Sequence, residues 1–562
     1  MRELWKIIPR QYRHRTTWVT VSIFLRALLN FVGIATLIPI IALVLDHNAI
    51  VTNPYLAHIY SVIDASNYAT FVGIICCAII AIIVLKNIVI LLLSRAENSY
   101  IYTLYKHLSK SLLLSYHQRG YEYIKHNNSA TLTRNVNVVS LMFVAGVLKP
   151  MATIISEASL LLLIMGALTW HTPIAAMFTM LLFAPIIAIF YFAVRRQLHD
   201  IGERENSAQR LKNRIVAESF RGYVDIETNS AFPLIFSRFT DIVNDIATYR
   251  KRNATIGQLP QIFAEVGIAI ALVLLVLASV ICDNNDSAMI FGIYAVAAVR
   301  MIPSVRGIMA GCSTIRYNRH STATMLDIER DIIYPNKEAE RIELHSSIEL
   351  RNISFTFSDA TTPTIKDLSL TINKGERIGI QGSSGIGKTT LFNLILGLYT
   401  PTSGTITVNG TPLTKDNIGK WRNAVGYVPQ SVFIAEASIK DNISLGCNKD
   451  KIDNERLMRA IEHAELTQFI DSLPNGVDTI IGEQGSRLSG GQQQRIGIAR
   501  ALYKGCDILL FDEATSSLDN HTEQSINHAI EHLSKEDSSL TIVAIAHRDS
   551  SLKYCDRIIT ME

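Results

Sequence analysis

The chain has 562 residues, of which 49% are hydrophobic and 18% are charged, and its formal net charge is +4. This length exceeds what one hydrophobic core organises, and typical soluble domains carry about 25% charged residues, so a membrane region is expected. The modest net charge argues against a nucleic-acid-binding protein. The 7 cysteines contain no C-x-x-C pair, which argues against a disulfide framework and a cysteine metal site.

Six apolar segments precede residue 315, and each is long enough to span a bilayer. They lie near residues 18–45, 69–93, 143–169, 174–194, 258–281 and 288–311. Three connecting loops, at 46–68, 170–173 and 282–287, contain neither Lys nor Arg, whereas the uncleaved N-terminal lead-in and two long loops are basic. Positively charged loops stay in the cytoplasm, so this multi-pass protein is predicted to keep both termini and the two long loops there.

Two loop segments carry apolar side chains with a possible binding role. Residues 220–227 mix apolar and charged residues at a turn between two long predicted helices, where a soluble domain could make contact. An ordinary solvated hairpin is the alternative. Residues 54–63 are apolar enough for an interfacial helix on the outer membrane surface, with a simple packed loop as the alternative.

Ionisable side chains inside apolar spans are costly, which makes each of them a functional candidate. The alternatives are an internal ion pair, for instance between Glu265 and Arg300, and side chains near span ends that reach the interface. Arg300 precedes Pro303, a helix-disturbing residue, and the excess of basic groups suits a cavity for anionic head groups. The ionisable side chains are Arg26, Lys86, Glu157, Glu265, Arg300 and Arg306, and the substrate candidates are Arg300, Arg306 and Lys86.

The composition changes near residue 320, where a charged and polar stretch begins. From residue 348 onward, strand-like runs alternate with helical ones, which is an α/β pattern. The sequence therefore predicts a membrane domain at 1–319, a linker at 320–347 and an α/β domain at 348–562.

Residues 382–389 read G-S-S-G-I-G-K-T, which matches the G-x-x-x-x-G-K-T pattern of a phosphate-binding loop. A β-branched run at 377–381 precedes the loop and an apolar helical pattern at 390–398 follows it, as the motif requires. Glycines let backbone N–H groups point at phosphate oxygens, Lys388 can reach the β- and γ-phosphates, and the Thr389 hydroxyl can bind Mg²⁺. A chance glycine-rich turn is the alternative. The predicted nucleotide-binding residues here are Gly382, Ser383, Ser384, Gly385, Ile386, Gly387, Lys388, Thr389 and Thr390.

Three single residues around the loop have roles that nucleotide chemistry needs. Phe357, in a predicted strand at 353–357, could stack on an adenine ring; Phe355 is the competing candidate and core packing the alternative. Gln430 follows a strand-like run and could ligate Mg²⁺ or orient water. His547 follows a strand predicted at 540–545 and could contact the γ-phosphate or the attacking water.

Two later motifs complete the pattern. Residues 488–492 read L-S-G-G-Q and precede a helix predicted at 493–502, so small residues at a helix N-terminus again form an anion site. The apolar strand predicted at 508–512 ends in Asp512, which is suited to hold Mg²⁺, and Glu513 is placed to polarise a water as general base. The predicted residues of the first motif are Ser489, Gly490, Gly491 and Gln492.

In this order and spacing, the motifs resemble those of an ATP-binding-cassette (ABC) ATPase domain, whose signature is L-S-G-G-Q. Six spans ahead of one such domain resemble an ABC exporter half-transporter, an α-helical six-span membrane domain plus an α/β phosphate-loop ATPase domain. The resemblance implies ATP and Mg²⁺ as cofactors. It also implies a second half-transporter as partner, expected to be another copy of the chain, with each ATP held by the phosphate loop of one chain and the signature of the other.

The resemblance further assigns single residues. It implies His547 as the switch histidine, Gln430 as the link between nucleotide state and spans, and Glu483 as a contact for the cytoplasmic loops, which would insert into the cassettes. The chain ends at Glu562, soon after His547, where relatives usually continue with a strand and more, so a truncated C-terminus is expected.

The membrane half gives a hypothesis about the substrate. Pro260 with Glu265, and R-x-x-P-S at 300–304, resemble bacterial flippases of lipid-linked oligosaccharides, although Gln261 stands where that group is expected to carry arginine. We therefore expect an ATP-hydrolysing exporter or flippase in the bilayer of the inner membrane, with a lipid-linked oligosaccharide or another amphipathic substrate. A peptide, lipid or drug exporter is one alternative, and an ATP-gated membrane regulator without transport is another.

Overall fold

The computed structural model describes residues 7–561 apart from 38, 41–42, 44–57, 59, 63–67, 172, 283–286, 329–339, 483–484, 486, 514–522, 525–527, 529, 533–537 and 547–551. At 171–195, 260, 264, 268, 271–272, 274–296 and 298–299 it describes the backbone alone. The chain divides into two compact units, Met1–Arg119 with Tyr123–Ile333, and Gly120–Glu122 with Tyr334–Glu562. The division at Tyr334 falls inside the segment predicted as the linker.

The first unit is made of helices. They are α1 Arg13–Ala35, α2 Tyr68–Gln118, α3 Gly120–His126 (whose first three residues cluster with the second unit), α4 Ser129–Arg134, α5 Ser140–Phe143, α6 Lys149–His171, α7 Pro173–Arg221, α8 Tyr223–Thr228, α9 Phe232–Cys282, α10 Ser287–Tyr317 and α11 Arg319–Leu326. Short π-helical turns at Asn135–Val139 and Val144–Leu148 flank α5, and a 3-10 turn at Arg10–Tyr12 precedes α1.

Several helices continue far beyond their apolar segments, as predicted for the long basic loops. Helix α2 has 51 residues, α7 has 49 and α9 has 51. At about 1.5 Å per residue, each is more than twice as long as the roughly 30 Å hydrocarbon core of a bilayer. Helix α10 runs through Pro303 without ending, so the residue predicted to disturb the helix does not break it.

Three stretches of the described residues are long and apolar enough to cross a membrane. They are Arg10–Ala35, Tyr68–Gln118 and Ser129–Trp170, with mean hydropathies of 1.7, 3.0 and 2.0 in their most apolar windows. The other three predicted spans fall inside α7, α9 and α10 and stay a prediction. The interfacial helix predicted at 54–63 lies mostly outside the described residues.

Polar side chains inside the first unit pair differently from the prediction. Arg26 Nη1 lies 2.7 Å from Glu97 Oε2, and Arg26 Nε donates to Ser156 Oγ at 3.3 Å. Glu97 is only 5% exposed. Glu265 accepts a hydrogen bond from Gln261, and among the described residues it forms no ion pair with Arg300. The ion pair suggested for Glu265 is therefore wrong, and Arg26 has the buried carboxylate as its partner.

In its described residues, the second unit combines nine strands with short helices. The strands are β1 Ser347–Phe355, β2 Ile365–Asn373, β3 Arg377–Gln381, β4 Ser403–Val408, β5 Thr411–Pro412, β6 Val425–Val428, β7 Ile508–Asp512, β8 Thr541–Ile545 and β9 Arg557–Thr560. The helices are α12 Lys388–Ile395, α13 Ile418–Arg422, α14 Ile439–Ile443, α15 Asn454–His463, α16 Thr467–Asp471 and α17 Gly490–Lys504, with 3-10 turns at Lys449–Lys451 and Gly476–Asp478.

These strands form two sheets. One has four strands in the order β2-β1-β4-β5, and the other has five in the order β6-β7-β8-β3-β9. All neighbouring strands of the five-stranded sheet are parallel. The carboxyl ends of β3 and β7, where the phosphate loop and Asp512 follow, therefore lie at the same edge, which is where ligands bind in sheets of this kind.

Strand β7 is buried on both faces of the five-stranded sheet. Leu509 and Phe511 belong to one apolar core, whereas Ile508 and Leu510 belong to another, on the opposite face. Side chains alternate between the faces of a strand, so a strand buried on both faces is apolar at every position. The unbroken apolar run that predicted a buried strand is this two-sided burial.

Two predicted boundaries and one predicted absence of a strand differ from the structure. Strand β1 ends at Phe355, so Phe357 lies two residues beyond it rather than inside a strand. Helix α17 begins at Gly490, within the L-S-G-G-Q motif, and not at Gln493. The strand expected to be missing after His547 is present as β9, which pairs with β3.

Candidate functional site

The phosphate loop joins β3 to α12 through glycines that other residues replace poorly. Gly382, Gly385 and Gly387 have φ values of 153°, 84° and 108°, in the left-handed half of the map that favours glycine. Lys388 is 5% exposed, and its Nζ donates to the carbonyl oxygens of Gly382 at 2.8 Å and Ser383 at 3.1 Å. The buried ammonium is therefore held above the curled backbone, where it can meet an anion.

Next to the loop, three oxygen-bearing side chains meet at the end of β7. The Thr389 hydroxyl donates to Asp512 Oδ1 at 3.0 Å, and the Tyr427 hydroxyl donates to Asp512 Oδ2 at 3.1 Å. Burial raises the pKa of Asp512, while the hydrogen bonds from Thr389 and Tyr427 oppose that rise. Carboxylate and hydroxyl oxygens are the ligands that Mg²⁺ prefers, so this corner fits the predicted metal. Thr390, the next residue of α12, is buried and faces away from solvent.

Tyr427 is a site residue that the sequence analysis missed. It lies in β6, three residues before Gln430, in a strand whose other residues are small or aliphatic. A lone phenol in such a strand was the available signal, because a buried tyrosine usually finds a partner for its hydroxyl. Burial and the neighbouring Asp512 raise the pKa of Tyr427, so its hydroxyl stays a donor.

The predicted general base is held by the predicted water-orienting residue. Gln430 Nε2 donates to Glu513 Oε2 at 3.1 Å. Gln494, which is 4% exposed, in turn donates to the backbone oxygen of Gln430 at 2.7 Å. The sequence analysis missed Gln494, although a glutamine on the buried stripe of α17, between Gly491 and Ile498, is the kind of residue that marks a polar contact.

The L-S-G-G-Q motif forms the N-terminus of α17 and caps it. Ser489 Oγ accepts from the Gln492 backbone N–H at 3.3 Å, and Gln492 Oε1 accepts from the Ser489 N–H at 2.9 Å. This is a capping box, which fixes the start of the helix. Ser489 and Gly490 are exposed at this helix N-terminus and Gly491 is buried behind them. The free N–H groups and the helix dipole favour an anion there.

Helix α12 behind the phosphate loop is capped at its other end. Trp421 Nε1 donates to the Ile395 carbonyl at 2.9 Å, and Arg422 donates to Leu396 O at 2.9 Å and to Gly397 O at 2.6 Å. The last carbonyls of a helix have no partner within the helix, so these three donors replace water. Trp421 is fully buried. The cap fixes the helix on which Lys388 and Thr389 lie.

Phe357 is the more accessible of the two aromatic candidates. Phe355 is 3% exposed and stacks on Tyr399 at 5.0 Å between ring centroids. Phe357 is half-buried and contacts both rings edge-on, at 4.9 Å and 5.6 Å. The core position therefore belongs to Phe355, and Phe357 is the more exposed of the two. Its role as adenine contact stays a prediction.

In the first unit, two of the three substrate candidates lie near each other. Lys86 of α2 packs against α1 so closely that a Cβ on Gly33 would lie 2.8 Å from its Nζ. The charges of Lys86 and Arg300 interact, and no carboxylate among the described side chains is within ion-pair distance of either. Arg306 is exposed and belongs to the same helix as Arg300. Of the three candidates, Lys86 and Arg300 are therefore close enough for their charges to act on each other.

Two residues that the resemblance assigned lie outside the described part of the chain. They are His547 and Glu483. Their roles stay predictions.

The chain is similar to several known proteins in sequence and in fold. Residues 365–516 match the ABC transporter family. An ATP-dependent lipid A-core flippase of Burkholderia orbicola (strain AU 1054) is 30% identical over 372 residues, which cover 66% of this chain and 62% of that protein. A flippase of the same name from Pasteurella multocida (strain Pm70) is 28% identical over 465 residues, 78% of this chain and 75% of that one.

Among solved structures, a bacterial Atm1-family ABC exporter with ATP bound superimposes with a TM-score of 0.79. It covers 98% of this chain and 94% of that one at 20% identity, so it shows the fold alone. The chain spans less than two thirds of the length of the first curated relatives it matches. Residues 365–516 therefore form an ABC transporter cassette, which implies ATP binding, and the chain has the fold of an ABC exporter.

Proposed function

We propose that the chain is an ATP-hydrolysing exporter or flippase. The observation that carries this proposal is the convergence of the phosphate loop, Asp512 and Glu513 at one edge of a parallel sheet, on a chain with long apolar helices. Lys388 and the loop N–H groups hold the phosphates of ATP. Glu513, oriented by the Gln430 amide, accepts the proton of the attacking water. The flippase names of the relatives support the coupling of this hydrolysis to transport.

The same site would hold Mg²⁺. Thr389 and Asp512 supply hard oxygen ligands, and Tyr427 keeps the carboxylate in one orientation. Gln430 is close enough to Glu513 to serve as a further ligand or to orient water. When bound, Mg²⁺ neutralises charge that develops on the transferred phosphoryl group.

The working unit in this proposal is a homodimer. Ser489 and Gly490 are exposed at a capped helix N-terminus, which suits contact with an ATP held by the phosphate loop of a second copy. In the first unit, three apolar side chains at the turn after α7 are exposed. They are Phe220, Tyr223 and Val224, with exposed fractions of 77%, 62% and 72%. These apolar side chains, at the turn predicted to meet a soluble domain, fit the cassette of the second copy. Each chain would then complete the other.

The substrate in this proposal is an amphipathic lipid with an anionic head group, such as a lipid-linked glycan. A pair of basic residues within apolar helices is costly unless an anion compensates it. Lys86 and Arg300 are such a pair, and among the described side chains no carboxylate is within ion-pair distance of either. The relatives are named for lipid A-core, which is consistent with a glycolipid. The protein would lie in the inner membrane with its cassette in the cytoplasm.

The test is the ATPase activity of the full chain purified in lipid nanodiscs. Lipid-linked glycans and, separately, peptides are added, and hydrolysis is compared with the basal rate. Stimulation by glycans alone supports the proposal, and stimulation by peptides alone assigns a peptide exporter. An unstimulated, very slow basal rate would favour a membrane regulator that binds ATP without transport. Lys388→Ala is the control, since it removes the phosphate-binding ammonium and should abolish all activity.

A further inference from the structure

The polar extension of α7 carries a positively charged cavity that is separate from the nucleotide site, and its last lining residue, Arg221, adjoins the turn proposed to contact the second copy. The cavity has a volume of about 410 Å³ and lies between α4 and α7 of the first unit. This volume is within the range of small-molecule sites. The charged and hydroxyl side chains that line it are Ser129, Thr133, Arg134, Arg214, Glu218 and Arg221. We refer to these six residues as the arginine pocket.

Three arginines and one glutamate line the arginine pocket, so it has an excess of positive charge. Arg214, Glu218 and Arg221 are spaced at helical intervals on one face of α7. Nevertheless, among the described residues the side chains of Arg214 and Arg221 form no ion pair or hydrogen bond. Both are exposed. Their donors are therefore available to a ligand.

The third arginine is unusual because it is buried. Arg134 is 7% exposed, and its guanidinium donates to Asn206 Oδ1. Within the described part of the chain no carboxylate is at ion-pair distance from it, and Glu205, whose charge acts on Arg134, is itself paired with Arg250. A buried arginine without a paired carboxylate is rare, because removing the charge from water is costly. A bound anion in the pocket would compensate this cost.

A buried histidine, His320, lies within range of the charges of Arg134 and Arg210. Both ring nitrogens of His320 are buried without a hydrogen-bond partner among the described residues. Burial first, and then the charges of Arg134 and Arg210, lower the pKa of His320 to about 4. The ring is therefore neutral at physiological pH. It adds no positive charge to the surroundings of Arg134.

We propose that the arginine pocket binds a small, soluble phosphorylated compound. Phosphate matches guanidinium groups in paired hydrogen bonds, and the hydroxyls of Ser129 and Thr133 add donors for the remaining oxygens. A lipid head group is the other source of phosphate. It is disfavoured by distance, because Arg214 and Arg221 follow the apolar part of α7, which ends near residue 194, by about 30 and 40 Å of helix. A bound phosphate group would tie α4 to α7.

The test uses the full chain in phosphatidylcholine nanodiscs, with ADP in excess so that the nucleotide site is occupied. Pyrophosphate is titrated, and hydrogen–deuterium exchange is followed at residues 128–138 and 213–221. We expect saturable protection of both segments. In R214A/R221A the apparent Kd should weaken about 100-fold, since a hydrogen bond to a charged group changes affinity by about tenfold. The charge-matched control R204A/K212A, on the same helix but outside the pocket, should leave the Kd unchanged.

Two further measurements decide the source and the geometry. R214K/R221K keeps the charge but loses the paired hydrogen bonds, and it should bind between the wild type and R214A/R221A. Nanodiscs with phosphatidylglycerol in place of pyrophosphate test the lipid source, and protection by them alone would overturn the soluble ligand. Equal weakening in R204A/K212A would reduce the effect to general charge attraction, and no saturable protection in the wild type would remove the site.

Discussion

Replacing Tyr427 with phenylalanine isolates the contribution of one hydroxyl to the proposed Mg²⁺ site at Thr389 and Asp512. The change removes only the donor to Asp512 Oδ2 and leaves the Thr389 bond to Oδ1 in place. A hydrogen bond to a charged group contributes about 1.5–3 kcal/mol. Because one of the two bonds remains, we take the lower value, which corresponds to roughly tenfold in affinity. We therefore expect Mn²⁺, as a probe for Mg²⁺, to bind the ATP-loaded Y427F variant about tenfold more weakly.

The loss should also depend on pH. Burial already raises the pKa of Asp512, and the Tyr427 hydroxyl opposes that rise. Without this hydroxyl the pKa rises further, so less of the carboxylate is ionised at a given pH, and metal binding requires the ionised form. The affinity defect should therefore be largest at acidic pH and shrink as the pH increases. Mn²⁺ binding followed by electron paramagnetic resonance at several pH values measures both effects.

A matched control separates this effect from a general response to a lost phenol. The Tyr399 hydroxyl is buried, and within the described residues it has no hydrogen-bond partner. Y399F therefore removes the same atom from the same unit without breaking a bond, and its metal affinity should equal that of the wild type. If Y427F and Y399F behave alike, or if the defect in Y427F has no pH dependence, the role assigned to Tyr427 is refuted.

Three further changes test other parts of the argument. Glu513→Gln should lower turnover at least about 100-fold while ATP still binds, because a general base contributes about 10²–10⁴-fold; retained nucleotide after gel filtration measures this, and near-normal hydrolysis would contradict the assignment. Arg300→Ala should reduce lipid-stimulated ATPase activity more than basal activity, whereas an equal loss in both would indicate a structural role. Arg422→Ala removes the donors to two carbonyls of the α12 cap. Chemical denaturation should show that the free energy of unfolding of the cassette decreases by about 2–4 kcal/mol. The control Arg351→Ala removes an ion pair on the surface, and it should lower that free energy by less than about 1 kcal/mol.

The contiguous motifs were predictable because their chemistry is local. The strand before the phosphate loop has the predicted bounds, since an apolar β-branched run followed by glycines has few other conformations. The start of α17 could also have been predicted. Ser489 and Gln492 have the spacing of a capping box, which places the helix start before Gln493.

Contacts between distant segments were not predictable from spacing. Tyr427 and Asp512 are 85 residues apart, and they meet only because β6 and β7 are neighbours in the sheet. Arg26 and Glu97 are 71 residues apart. The apolar pattern predicts that the second span ends near residue 93, which leaves Glu97 in a loop. Helix α2 continues past it to Gln118 and brings the carboxylate into the packed interior.

One backbone angle explains how two adjacent carboxylates contact different partners. Asp512 is the last residue of β7 and is 2% exposed, so its side chain is fixed between Thr389 and Tyr427. Glu513 has a φ of 49°, which is uncommon for a residue with a side chain.

This conformation costs roughly 1–3 kcal/mol and persists only where neighbouring contacts enforce it. Here the Glu513 N–H donates to the Ile545 carbonyl of β8 at 3.1 Å, which continues the sheet for one more bond. The turn then directs the Glu513 carboxylate to Gln430 instead of Thr389. With an extended backbone at Glu513, its side chain would only point to the face of the sheet opposite to Asp512. No contact would then direct its carboxylate to Gln430. The local strain at Glu513 is therefore best explained by the separation of the proposed metal ligand from the proposed general base.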